Sequence, residues 1–117
     1  MRSPGPRPDP PLSEATFYII LSISPGPKHG YAILKDVQSL SEGRVTLSTG
    51  TLYGAIRRLL EEGWIERTED PLRDQTARKR QTYALTGKGR RALDAETTRL
   101  RAMVRAAGLR PIGEGAT

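Results

Sequence analysis

Behind Ser48, apolar residues recur at Leu52, Ala55, Ile56, Leu59 and Leu60, and the run ends at Glu61-Glu62-Gly63. Spacings of three and four place those five side chains along one stripe of a helix and are incompatible with a strand, whose faces alternate every residue. Ser48 suits the position just before that helix, because its hydroxyl can accept from an otherwise unpaired N–H of the first turn. Gly63 stands where a left-handed residue is wanted to close it. Immediately afterwards Trp64 to Asp70 has strand character, and Gln81-Thr82-Tyr83-Ala84-Leu85 alternates with Tyr83 and Leu85 on one face, so the two segments read as a hairpin. A capped helix running straight into a hairpin leaves few topologies for a chain of 117 residues, which suffices for one domain.

Two shorter helices are expected before this one. The first spans about Ser13 to Ile23, with Ser13 as cap, Phe17, Ile20, Leu21 and Ser24 near one face, and Pro25-Gly26-Pro27 as its stop. The second opens around His29 and carries Tyr31, Ile33, Leu34, Val37 and Leu40 inward until Ser41, Glu42 and Gly43 release the chain into the extended link Arg44-Val45-Thr46-Leu47. A last helix follows the hairpin, capped by Thr86, running to about Ala107 and stopping at Gly108. The fold class expected is therefore mainly α with a small β-hairpin: a winged helix-turn-helix with a C-terminal helix appended.

Placing the apolar stripe of the Ser48–Leu60 helix inward turns Thr49, Thr51, Tyr53, Gly54, Arg57 and Arg58 toward its exposed flanks, with Ser48 at its entrance. These residue types suit nucleic acid. Hydroxyls reach phosphates or base edges, arginine forks onto guanine or phosphate, and a glycine lets a backbone come close. Each has an ordinary alternative, since Tyr53 can pack half-buried and Arg57 can pair with Glu61 on a solvated face. The hairpin tip adds weight to the nucleic-acid reading. Residues 71–80 carry four positive charges, among them Arg78, Lys79 and Arg80, against one negative, Asp74. A basic tip beside a reading helix can grip phosphate or enter a minor groove.

The net charge of +6 favours a polyanionic partner but does not by itself specify one. No cysteine is present and only one histidine, His29, so neither a disulfide framework nor a Cys/His metal site is expected, and no cofactor is called for. Gly87-Lys88-Gly89 lacks the spacing of a phosphate-binding loop, and Glu61-Glu62 point around a helix instead of converging, so catalysis is not expected. The apolar run from Ala15 to Ile23 is too short for a bilayer and lacks a cleavage site, which predicts a soluble, cytoplasmic protein with no membrane partner.

His29-Gly30-Tyr31, Gly50-Thr51-Leu52-Tyr53 with Arg58-Leu59 and Glu62-Gly63, and Tyr83-Ala84-Leu85-Thr86 followed by Gly89-Arg90 together resemble the PadR-type transcriptional regulators, over roughly Leu12 to Met103. The resemblance implies a dimeric winged helix-turn-helix, acting as a repressor, whose third helix reads the major groove of double-stranded DNA while the basic hairpin contacts the backbone. It also implies release of DNA when a small-molecule effector binds or conditions change. Members of that family often carry Pro where this chain has Thr49 and Gly54, so operator preference does not transfer from a relative.

Within the last helix Leu93, Thr97, Leu100, Val104 and Ala107 form a stripe at spacings of four and three, with Met103 beside it. A terminal helix has little of its own domain left to cover, so the stripe is expected to meet a second copy of the chain. The expected division is a Pro-rich, disordered tail over 1–11, holding five of the nine prolines, the DNA-binding domain over 12–86, the dimerisation helix over 87–108 and a flexible tail over 109–117. The resemblance is closest to the short members that dimerise through one C-terminal helix. A homodimer predicts a pseudo-palindromic site with half-sites about one helical turn apart. The competing reading is a winged-helix module whose basic loop binds an acidic protein.

Overall fold

The computed structural model describes residues 11–69 and 81–109. In chain order these form α1 (Glu14–Ile23), β1 (Lys28–His29), α2 (Gly30–Leu40), α3 (Thr49–Glu62), β2 (Ile65–Thr68), β3 (Thr82–Leu85) and α4 (Gly87–Leu109). The three strands make one antiparallel sheet in the order β1-β3-β2, with Ile65 opposite Leu85, Thr68 opposite Thr82 and Lys28 opposite Tyr83. The fold is thus mainly helical with a small sheet, as the sequence predicts, but the two-residue strand β1 is an addition. Lys28-His29 is too short to show a period of two, and only the exposed edge of β3 makes it a strand.

Helix ends obey local chemistry. The Ser13 hydroxyl accepts from the Thr16 N–H at 3.1 Å, and the Ser48 hydroxyl accepts from the Thr51 N–H at 3.1 Å. Gly63, at φ +77°, closes α3 while Trp64 N–H donates to the Leu59 carbonyl and Gly63 N–H to that of Leu60, the paired bonds that a left-handed glycine makes accessible. The Thr86 hydroxyl accepts from Gly89 N–H at 3.0 Å and donates to the Gly63 carbonyl at 2.6 Å, so one side chain caps α4 and ties it to the end of α3. That cap agrees with the sequence. The stop does not: α4 passes through Gly108 to Leu109, since glycine permits a left-handed turn without requiring one.

The core consists of Ile19, Ile20 and Ile23 from α1, Ile33 and Val37 from α2, Leu52, Ala55, Ile56 and Leu59 from α3, with Ile65, Tyr83 and Leu93 closing it. The buried stripe of α3 is the predicted one save Leu60, which is only partly buried. The predicted faces of the first two helices are corrected. Helix α1 buries Ile19, Ile20, Ser22 and Ile23, while Phe17, Leu21 and Ser24 are partly exposed. It packs against α2, α4 and β3 at once, so its covered side is broader than one stripe, and its hydroxyls are included. Helix α2 buries Ile33 and Val37 but leaves Tyr31 and Leu40 exposed.

Ser22 tolerates burial because it is hydrogen bonded. Its hydroxyl donates to Asp36 Oδ2 at 2.9 Å, and Lys28 Nζ donates to the Ser22 carbonyl at 2.6 Å and pairs with the same carboxylate. The Lys28 ammonium holds the Asp36 carboxyl below its usual range against a smaller opposing effect of burial. This cluster joins α1, β1 and α2 in a fixed relation.

Candidate nucleic-acid interface

Helix α3 presents Thr49, Gly50, Thr51, Tyr53, Arg57, Arg58 and Glu61 to the exterior. Its innermost direction runs through Leu52, Ala55, Ile56 and Leu59, so at 100° per residue the outermost ridge is Gly50, Gly54, Arg57 and Glu61. A Cβ added at Gly50 would meet nothing within 4 Å, and one at Gly54 would meet only the Arg58 guanidinium, at 4.0 Å. Among the described residues neither glycine answers to a packing demand. Gly54, in the helix interior, costs about 1 kcal/mol of helix stability relative to alanine, whereas Gly50 is only the second residue of α3. Gly50 was absent from the sequence-derived set of contact residues, and the structure places it on the same outer ridge as Gly54 and Arg57.

The remaining predicted residues divide between the two flanks. Tyr53 leans toward α2: a Cβ on Gly30 would lie 2.2 Å from the Tyr53 hydroxyl and 2.7 Å from Cζ. The ring closes over the glycine that opens α2, which leaves Tyr53 both packed and 42% exposed. Glycine at position 30 and tyrosine at position 53 are thus one structural feature, although 23 residues separate them in the chain. Tyr83 of β3 lies close enough for Tyr53 to help burial push its phenol up, with Arg67 opposing. Thr51 and Arg58 lie on the opposite flank. Arg58 borders a groove of about 440 Å³ that is also lined by Leu12, Ala55, Leu59, Trp64 and Lys88.

The hairpin rises from the C-terminal end of α3. Its strands are stitched at the end nearest their connection by Thr68 and Thr82, whose hydroxyls lie 2.6 Å apart, while the Thr82 hydroxyl donates to the Thr68 carbonyl at 2.8 Å. Arg78, Lys79 and Arg80 fall outside the described residues, as do the two expected tails except Pro11 and Leu109, the latter being the last residue of α4. At the base of the hairpin Trp64 is a half-buried core neighbour whose carbonyl accepts from Thr86 N–H at 3.0 Å.

Helix α4 begins against the core and leaves it. Leu93 is core, Thr97 and Leu100 are partly buried, and every residue from 101 to 109 is exposed, Met103, Val104 and Ala107 among them. Leu93 therefore belongs to the core of this chain, and the exposed part of the predicted stripe is its distal portion. Between the two, buried Glu96 receives two bonds from Arg99, at 3.2 and 2.5 Å, which hold its carboxyl below the usual range, aided by a backbone contact from Leu12.

Among the described residues no group of three or more His, Cys, Asp or Glu could hold a metal ion, and no helix is long and apolar enough to cross a membrane. The exposed chemistry of α3 is that of hydroxyls, a phenol, guanidinium groups and bare backbone, with the Glu61 carboxylate at the end of the ridge.

The profile of the transcriptional regulator PadR-like family matches residues 19–95. An uncharacterized 37.1 kDa protein in the Streptomyces fradiae transposon TN4556 is 31% identical over 84 residues, which make up 72% of this chain and 22% of that relative. Among solved structures, a PadR family transcription regulator from hypervirulent Clostridium difficile superimposes with a TM-score of 0.68 at 21% identity, covering 82% of this chain and 96% of its own. Bacillus subtilis PadR, solved in complex with operator DNA, superimposes with a TM-score of 0.59 at 20% identity, covering 68% of this chain and 44% of that one.

Proposed function

The chain belongs to the transcriptional regulator PadR-like family, and from that premise we propose that it is a sequence-specific DNA-binding repressor acting as a homodimer in the cytoplasm. The observation that carries this reading is the outer ridge of α3 beside Arg57, where among the described residues a Cβ would meet nothing at Gly50 and only the Arg58 guanidinium at Gly54. A helix that sacrifices stability to keep its outer backbone bare is suited to close approach by a major groove. The operator complex of Bacillus subtilis PadR, a structure of the same fold, supports the assignment.

In this reading Thr49, Thr51 and Arg57 reach base edges, Ser48, Tyr53 and Arg58 position the helix against phosphates, and Arg78, Lys79 and Arg80 bind the backbone from the hairpin tip. The distal face of α4, with Met103, Val104 and Ala107, joins two copies, so the site is a pseudo-palindrome with half-sites about one helical turn apart. Release by a small-molecule effector belongs to the same reading.

Selection of random duplexes on the purified full chain at near-physiological salt tests it. An enriched inverted repeat is the expected result. A folded dimer that enriches no sequence, yet is retained by an acidic protein surface, would replace the reading with that of a protein-interaction module.

A further inference from the structure

The outward face of α2 has no part in the core and none in the contacts assigned above. It carries Tyr31, Lys35, Gln38 and Ser39, all exposed, and no carboxylate. The acidic residue of the helix, Asp36, is turned aside and engaged by Lys28 and Ser22. Tyr31 is 67% exposed although it is a large aromatic, where the sequence predicts burial. One turn later Lys35 extends its ammonium over the Tyr31 ring, 5.5 Å from the centroid, a cation–π contact that orders the pair without neutralising the charge. Among the described residues Lys35 has no acidic partner.

Position makes the pair informative. Tyr31 follows Gly30, and Gly30 is the residue over which Tyr53 of α3 closes. The first turn of α2, on which Tyr31 is exposed, is therefore the part of that helix packed against the Tyr53 side chain of α3. In a helix-turn-helix the first helix crosses the sugar-phosphate backbone while the second enters the groove.

We propose that Tyr31 and Lys35 form a phosphate contact on α2, the phenol donating to one phosphate oxygen and the ammonium neutralising the same or a neighbouring group, so that the backbone is held on the α2 side of the reading helix. The inference rests on the DNA-binding reading and adds residues to it. Such a contact strengthens binding to every sequence alike and carries no base preference.

The test measures binding of the full chain to two duplexes across a range of salt: a selected inverted repeat and a mixed-sequence duplex of equal length. Lys35→Ala should lower the slope of log K against log salt by about 1 on both duplexes, the signature of one lost phosphate contact. Tyr31→Phe keeps the ring beneath Lys35 and removes the hydroxyl alone, so it should weaken both by about fivefold with the slope retained. An unaltered slope in Lys35→Ala, or full affinity in Tyr31→Phe, would overturn the proposal while leaving DNA binding intact. Wild-type protein that binds neither duplex would overturn the DNA-binding reading and this proposal with it.

Discussion

At the scale of single residues, the glycines do most to separate packing from function. Gly50 and Gly54 are helical and have open space where a side chain would be. Gly54→Ala is therefore expected to raise stability by up to about 1 kcal/mol, because alanine is the better helix former and meets no steric obstacle. The same methyl group would stand between α3 and its groove, and operator affinity should fall about tenfold. Urea unfolding and operator titration of one variant measure the two effects, and a variant that gains stability without losing affinity would remove Gly54 from the interface. Gly30 is a glycine of the other kind, one whose missing Cβ is filled by Tyr53. Both sorts look identical as letters.

At the scale of elements, the junction between hairpin and last helix is the least forgiving point. A Cβ on Gly89 would lie 2.1 Å from the Trp64 carbonyl oxygen and 2.7 Å from Leu85 Cδ1. The first obstacle is backbone, fixed by the Thr86 N–H that also bonds it, so no rotamer change relieves the clash. Gly89→Ala should cost about 3 kcal/mol or more, read as a lowered denaturation midpoint, whereas Gly87→Ala, whose nearest neighbour is the flexible end of Arg91, should leave the midpoint nearly unchanged. Equal midpoints for both variants would sink the close-approach argument. The caps at Ser13, Ser48 and Thr86 and the glycine stop at Gly63 were legible in the sequence because each is decided within four residues. The buried side of α1, the exposure of Tyr31 and strand β1 were not, because each depends on which elements come to lie alongside.

At the scale of the whole molecule, α4 is the element that leaves the core. Twenty-three residues give a helix about 34 Å long, and every residue from 101 to Leu109 is exposed. Met103 and Val104 are exposed there, among charged neighbours. If a second copy covers this face, Met103→Asp combined with Val104→Asp should convert a dimer to a monomer in sedimentation equilibrium and reduce affinity for an inverted repeat far more than for a single half-site. A double variant that remains dimeric would place the contact elsewhere. Sequence alone determined where α1, α3 and α4 start, the glycine stop of α3, the hairpin, the inward stripe of α3 save Leu60 and the family, because periodicity, caps and short motifs are local properties that survive without knowledge of neighbours. Only the tertiary structure decided that Tyr53 closes over Gly30, that Leu93 belongs to the core while Val104 does not, and that Gly50 stands in open space. Those facts are relations between segments far apart in the chain, set by how the elements pack.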